Sequence, residues 1–218
     1  MNPIMAANFI DIIGAFLLIT MIIILEASDL YQAIYTMAVQ SVFIALAGVV
    51  LALATHNPDL WIIAVLTLAV KVITLPLLLL RVVRRMHIHR RIEALIPVTL
   101  TIAIAAGIIM LTFYLASSLG SVKQVITGNA LPIGISLMLI GILVMMSRRT
   151  ALMQMVGLFA SENGIFFTAM AVSQGMPLII EIGITLDVIL GALVMGVIIL
   201  RVKSNIGSDI ADLKQLKG

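Results

Sequence analysis

Five ionisable residues stand inside long apolar runs of this chain: Asp11, Lys71, Glu162, Glu181 and Asp187. At the centre of a bilayer such a group costs at least ~2.5–3.5 kcal/mol on insertion scales, so each needs a partner, a water-filled cavity, a protonated form or a function. Lys71, Glu162 and Asp187 lie about ten to twelve residues into their runs, near a membrane midplane. Asp11 and Glu181 lie in the outer third of theirs. A dry surrounding disfavours the charged form of acid and lysine alike, which brings both within reach of proton exchange near neutral pH. Lys71, Glu162 and Asp187, at one depth on three spans, could therefore line a proton relay parallel to the membrane. Asp11 and Glu181 are candidates for relay members or an ion entrance. The alternative is static: Lys71 pairs with Glu162 or Asp187 and holds the bundle together. One lysine cannot neutralise two carboxylates, which leaves one to titrate or to meet a neighbouring subunit.

Nearby residues fit an interior setting. Asn163 and Thr185 can donate hydrogen bonds, and Gly183, Asp187 and Gly191 recur every four residues on one helical face. Gly157 and Ser161 make a similar small pair, of the kind that admits close helix approach. Pro76, five residues after Lys71, frees backbone groups for water or side chains.

The elements that must hold these residues are membrane helices. Of 218 residues 62% are hydrophobic and 11% charged, against roughly 45–50% and 25% in soluble domains. About 135 apolar residues, at about 20 per span, supply at most about seven spans. Apolar runs of spanning length lie at 4–25, 30–54, 60–80, 94–118, 130–146, 151–172 and 177–200. The expectation is an all-α polytopic membrane protein with seven transmembrane helices. Two parts are expected: residues 1–129 with four spans, and residues 130–218 with three spans and a short cytoplasmic tail.

Orientation follows from the basic residues, because loops rich in Lys and Arg stay in the cytoplasm. Arg81, Arg84, Arg85, Arg90 and Arg91 follow the third span, Arg148 and Arg149 the fifth, and Arg201, Lys203, Lys214 and Lys217 the seventh. Lys123 falls on the opposite side. The N-terminus is thus expected outside and the C-terminus inside. No basic leader or cleavage site marks a signal peptide, so the first helix is expected to stay.

Composition also bounds the chemistry. The chain has no Cys, which removes thiolate-held iron–sulfur clusters, most structural zinc sites and disulfides. His56, His87 and His89 fall in or beside polar stretches, and the 14 Met suit apolar filling. No cofactor or metal is expected. The net charge of +3 is spread over loops without interleaved aromatics, so membrane topology and anionic lipid headgroups account for it and nucleic acid is not expected as a partner. A retinal-type pocket around Lys71 would need aromatic walls, which one Trp and three Tyr do not supply.

The C-terminal half carries a resemblance. Ser147-Arg148-Arg149, Met155-Val156-Gly157-Leu158, Glu162-Asn163, Asp187-Val188-Ile189-Leu190-Gly191 and the tail 209–218 resemble the three-helix K-type subunit of respiratory complex I and of Mrp antiporters. The whole chain, with SENG at 161–164, EIGITLD at 181–187 and a terminal LKG, is similar to the hydrogenase-4 component E family. Its first four spans match mainly in hydropathy and at Lys71-Val72 to Pro76. The resemblance implies a non-redox membrane subunit of a group 4 membrane-bound nickel–iron hydrogenase or formate hydrogenlyase in the cell inner membrane. Antiporter-like and anchor subunits would be its partners, a peripheral arm would do the redox chemistry, and the membrane subunits would carry protons. An Mrp-type cation/proton antiporter subunit and a purely structural spacer remain as alternatives. The K-type family uses two mid-membrane glutamates. Asp187 falls at the second; at the first this chain has Phe159, and Glu162 follows three residues later, nearly one turn on. Spans one to three and five to seven also superpose with a shift of about 120 residues, Arg81 on Arg201 and Ser41 on Ser161, as a tandem repeat would.

Overall fold

The structure, a computed structural model, describes residues 3–85, 94–118, 129–173 and Gly191. The chain divides into two units, Met1–Ile179 and Ile180–Gly218. Of the second, Gly191 alone is described, in a helix. The expected seventh span with Glu181, Thr185 and Asp187, and the candidate outer loop with Lys123, lie outside the described residues.

The described residues are helical, joined by short turns: α1 (Pro3–Glu26), α2 (Leu30–Thr55), α3 (Pro58–Thr67), a π-helical segment (Leu68–Thr74), α4 (Leu75–Arg85), α5 (Val98–Ser118), α6 (Ala130–Ser147) and α7 (Ala151–Ser173). No strand occurs among them; an isolated antiparallel bridge joins Ala94 and Arg148. Five helices are long and apolar enough to cross a membrane: α1, α2, the continuous α3–π–α4, α5 and α6. The described residues thus have the all-helical make-up of a membrane protein. α7, at 23 residues, is long enough to span, but carries Gln154, Ser161, Glu162 and Asn163. Large apolar side chains point outward as well as inward, among them Phe9, Ile12, Phe16 and Ile19 on α1. A surface of that kind is stable against lipid.

Local chemistry sets the helix ends. Asp29, in an extended conformation, caps α2 by accepting from the Tyr31 amide. His56 ends α2 in the left-handed region at φ 54°, which His tolerates better than most residues. Pro58 then begins α3, where its missing N–H leaves nothing unsatisfied. Two expectations need correcting. The fourth span starts at Val98, not at 94, because Pro97 keeps Ile96 out of the α region, and the Pro97 carbonyl takes the Leu100 and Thr101 amides. Ala94 and Leu95 instead run alongside the end of α6, with Leu95 donating to the Ser147 carbonyl at 2.9 Å. The third span does not stop at 80: the helix runs on through Arg81 to Arg85, since arginine is a good helix former and favours a helix C-terminus.

α1, α2, α7 and α6 pack in a ring, each on the next and α6 back on α1. α5 lies outside it against α6 and α1, and α3–π–α4 lies against α2. The α6–α7 crossing is the tightest. Gly134 and Gly141 on α6, and Gly157 and Gly164 on α7, are each seven residues apart. A Cβ on Gly141 would sit 2.7 Å from the Gly157 carbonyl oxygen, and one on Gly164 would sit 2.6 Å from the Gly134 carbonyl oxygen. Ser161, between the α7 glycines, donates to the Met138 carbonyl at 3.0 Å. Beside this seam Thr112 of α5 and Ser136 of α6 share a hydrogen bond.

At the α6–α7 turn the Arg148 side chain is buried and donates to the Leu25 carbonyl, capping the C-terminal end of α1. Burial pushes its guanidinium below the ordinary value. The turn is closed by Gln154, which donates to the Arg148 carbonyl at 2.9 Å.

Candidate functional site: a buried ion pair and its amide chain

Lys71 reaches the interior because of the π segment. Thr67, Lys71, Leu75, Leu79 and Val83 are all buried at four-residue intervals. In a regular α-helix each four-residue step drifts by about 40°, so four steps would swing the last of them by roughly 160° away from the first. Wider turns take up that drift: the Leu75 amide bonds the Val70 carbonyl, five residues back. Thr74 Oγ1 likewise reaches the Ala69 carbonyl at 2.8 Å. Pro76 just beyond supplies a reason for the widening, because it lacks an N–H and its ring would crowd the carbonyl four residues before it.

Lys71 Nζ lies 3.2 Å from Glu162 Oε1 of α7, with both side chains at most 5% exposed. It also donates to Asn163 Oδ1 at 3.4 Å and stands 5.0 Å from the centre of the Phe166 ring, within cation–π range. Asn163 carries the network across to α2: its Nδ2 donates to Gln40 Oε1 at 3.1 Å and to Ser41 Oγ at 3.3 Å. Gln40 Nε2 then faces Met21 Sδ of α1 at 3.6 Å. An ammonium has only donors, so both amides must turn their oxygens toward it, Asn163 directly and Gln40 one step behind. Gln40, Ser41, Asn163 and Lys71 are all buried.

Chemically the pair can exist as ammonium and carboxylate or as amine and carboxylic acid, related by one proton moved across a 3.2 Å contact. That is the minimum equipment for proton transfer between helices. Among the described residues no group of three or more His, Asp or Glu gathers as a metal site.

Lys71, Glu162 and Asn163, three of the sequence candidates, meet here. Asp11 does not join them. It sits on α1 ten residues, about 15 Å, before Met21, where its carboxylate accepts from the Asn129 amide at 2.9 Å and from the Asn129 side chain at 3.3 Å. It thereby caps α6 from a neighbouring helix. Asp11→Ala should lower stability by about 1 kcal/mol, the usual cap value, and Asp11→Asn by less, since the amide oxygen still accepts. Thermal unfolding of the purified protein in detergent reads this; unchanged stability in Asp11→Ala would remove the capping role. Asp187, Glu181 and Thr185 lie outside the described residues.

Sequence reasoning weighed the ionisable residues and passed over Gln40, Ser41, Met21 and Phe166. The available signal was the adjacent polar pair Gln40-Ser41 in the middle of an apolar run.

No family model matches this chain and no solved structure does. It is similar along nearly its whole length to a protein of Mycobacterium tuberculosis described as uncharacterized protein Rv0085, 28% identical over 216 residues that cover 97% of this chain and 98% of that one.

Proposed function

We propose that this chain is a membrane-arm subunit of a group 4 membrane-bound nickel–iron hydrogenase or formate hydrogenlyase, a complex I-like assembly of the cell inner membrane. In this reading it crosses the membrane seven times with the N-terminus outside, holds no redox centre, anchors antiporter-like and anchor subunits, and contributes Lys71, Glu162 and Asp187 to proton translocation. The observation that carries the reading is the buried Lys71–Glu162 pair, midway along apolar helices and extended by Asn163 and Gln40. The resemblance of residues 130–218 to K-type subunits supplies the kind of complex.

A second reading is supported by the closure of the same pair. With Lys71 and Glu162 in contact, the chain would serve as a spacer whose charges lock helices together and move no protons.

Purification of the tagged subunit from membranes of its own host under mild detergent tests the assignment. A nickel–iron large subunit and iron–sulfur proteins are expected to co-purify. Recovery of antiporter subunits alone would replace the hydrogenase by an Mrp-type antiporter.

A further inference from the structure

The last turns of α4 carry a feature that the ion pair does not use. Leu77, Arg81 and Arg84 follow one another at i, i+4 and i+7, so they share one helix face. All three are exposed, Leu77 by 58%. With Leu80 beside them they line a cavity of about 280 Å³. Two guanidiniums thus stand over an apolar wall. Neither Arg81 nor Arg84 makes an ion pair or hydrogen bond with any of the described residues, and none of the residues lining the cavity is acidic.

Depth decides what such a groove meets. The apolar span runs from Leu60 to Arg84, so its midpoint is residue 72. At 1.5 Å per residue Leu77 and Leu80 lie about 8 and 12 Å from that midpoint, Arg81 about 14 Å and Arg84 about 18 Å. The hydrocarbon half-thickness is about 15 Å. Leu77, which is exposed, therefore faces acyl chains with the buried Leu80 lining the groove beside it, while the guanidiniums bracket the level of the phosphates.

We propose that this groove is a binding site for an anionic glycerophospholipid, its phosphodiester held between Arg81 and Arg84 and an acyl chain laid along Leu77 and Leu80. Guanidinium forks match phosphate oxygens in pairs, and a neutral headgroup would leave two cations uncompensated. A free phosphate would use the arginines but not the leucines below them. The apolar wall selects the lipid.

Native mass spectrometry of the purified full chain, titrated with phosphatidylglycerol or phosphatidylcholine, tests the site. One phosphatidylglycerol is expected to be retained in preference to phosphatidylcholine. The double variant Arg81→Gln/Arg84→Gln should weaken retention about 30-fold, at about a factor of five for each basic residue near the headgroups. Leu77→Trp, which fills the groove and leaves the charges, should weaken it too. Arg149→Gln, an exposed arginine elsewhere on the same chain, should leave it unchanged. Equal retention of the two lipids, an equal loss in Arg149→Gln, or full retention in Leu77→Trp would mean diffuse attraction and overturn the proposal. Displacement by excess inorganic phosphate would make it an aqueous anion site. If the double variant fails to fold, the lipid comparison and Leu77→Trp still decide.

Discussion

Lys71→Met and Glu162→Gln should each cut the amount of assembled subunit several-fold or more, and the double variant should recover much of that loss. Each single change removes one side of a contact of 3.2 Å between buried side chains. Stranding the other charge costs about 3–5 kcal/mol, a large part of the 5–15 kcal/mol by which proteins are stable. Removing both leaves a methionine and a neutral amide, which apolar packing tolerates. The positive coupling between the two positions, read as subunit content of membranes by quantitative mass spectrometry, is the signature of a real pair. Unchanged content in both single variants would mean that water solvates these groups separately.

The double variant also separates the two functional readings. If the pair lies in a proton path, membranes carrying Lys71→Met/Glu162→Gln should assemble the complex and turn it over while moving fewer protons per turnover. Neither methionine nor an amide exchanges a proton in this range. Normal pumping by an assembled double variant would assign the pair to holding helices together. Asn163→Leu is a useful companion, because it leaves both charges but removes the acceptor at 3.4 Å and the link to Gln40.

Gly164→Ala should destabilise the bundle by about 3 kcal/mol, at the upper end of ordinary overpacking, and Gly164→Leu should prevent folding. The new Cβ would fall 2.6 Å from the Gly134 carbonyl oxygen, 2.6 Å from the Met138 amide nitrogen and 2.7 Å from Leu137 Cβ. Two of these three neighbours are backbone, so no rotamer change relieves the clash and α6 must move off α7. That movement also weakens the Ser161 bond to the Met138 carbonyl. It shifts Glu162 and Asn163, which immediately precede Gly164, relative to Lys71. Gly107→Ala is the matched control: nothing lies within 4 Å of its Cβ position, and helix propensity alone predicts a gain of about 0.5–1 kcal/mol. Thermal unfolding of both variants in the same detergent makes the comparison. Equal stabilities would show that the helices do not approach as closely as the glycine seam requires.

The helices themselves were legible because the bilayer imposes a one-dimensional rule. A run that must bury all its backbone polar groups in hydrocarbon has to be helical over its whole length. The apolar runs at 4–25, 30–54, 130–146 and 151–172 match α1, α2, α6 and α7 to within a residue at each end. The misplaced ends fell where backbone chemistry outweighed hydropathy: Pro97 delayed α5, and the arginines after 80 prolonged α4 past the apolar run. The small residues at 157 and 161 were also readable as a packing face, although their partners on α6 were not.

Sequence by itself determined that charged groups sit at mid-span and that Lys71 needs a partner. It could not choose between Glu162 and Asp187, because hydropathy fixes depth along a helix but leaves rotation about its axis undetermined. The tertiary structure decided that Glu162 and Asn163 face Lys71 in the described bundle, through two features that no pattern of apolar residues records. One is the π segment, which turns Lys71 inward by changing the number of residues per turn. The other is the glycine seam between α6 and α7, which sets how close and at what register Glu162 and Asn163 are held. Gln40 entered the site for the same reason: an uncharged amide in an apolar run is unremarkable until a neighbouring helix presents Asn163 within hydrogen-bonding distance. Depth is a property of one chain segment in a solvent; partnership belongs to two surfaces brought together by close packing.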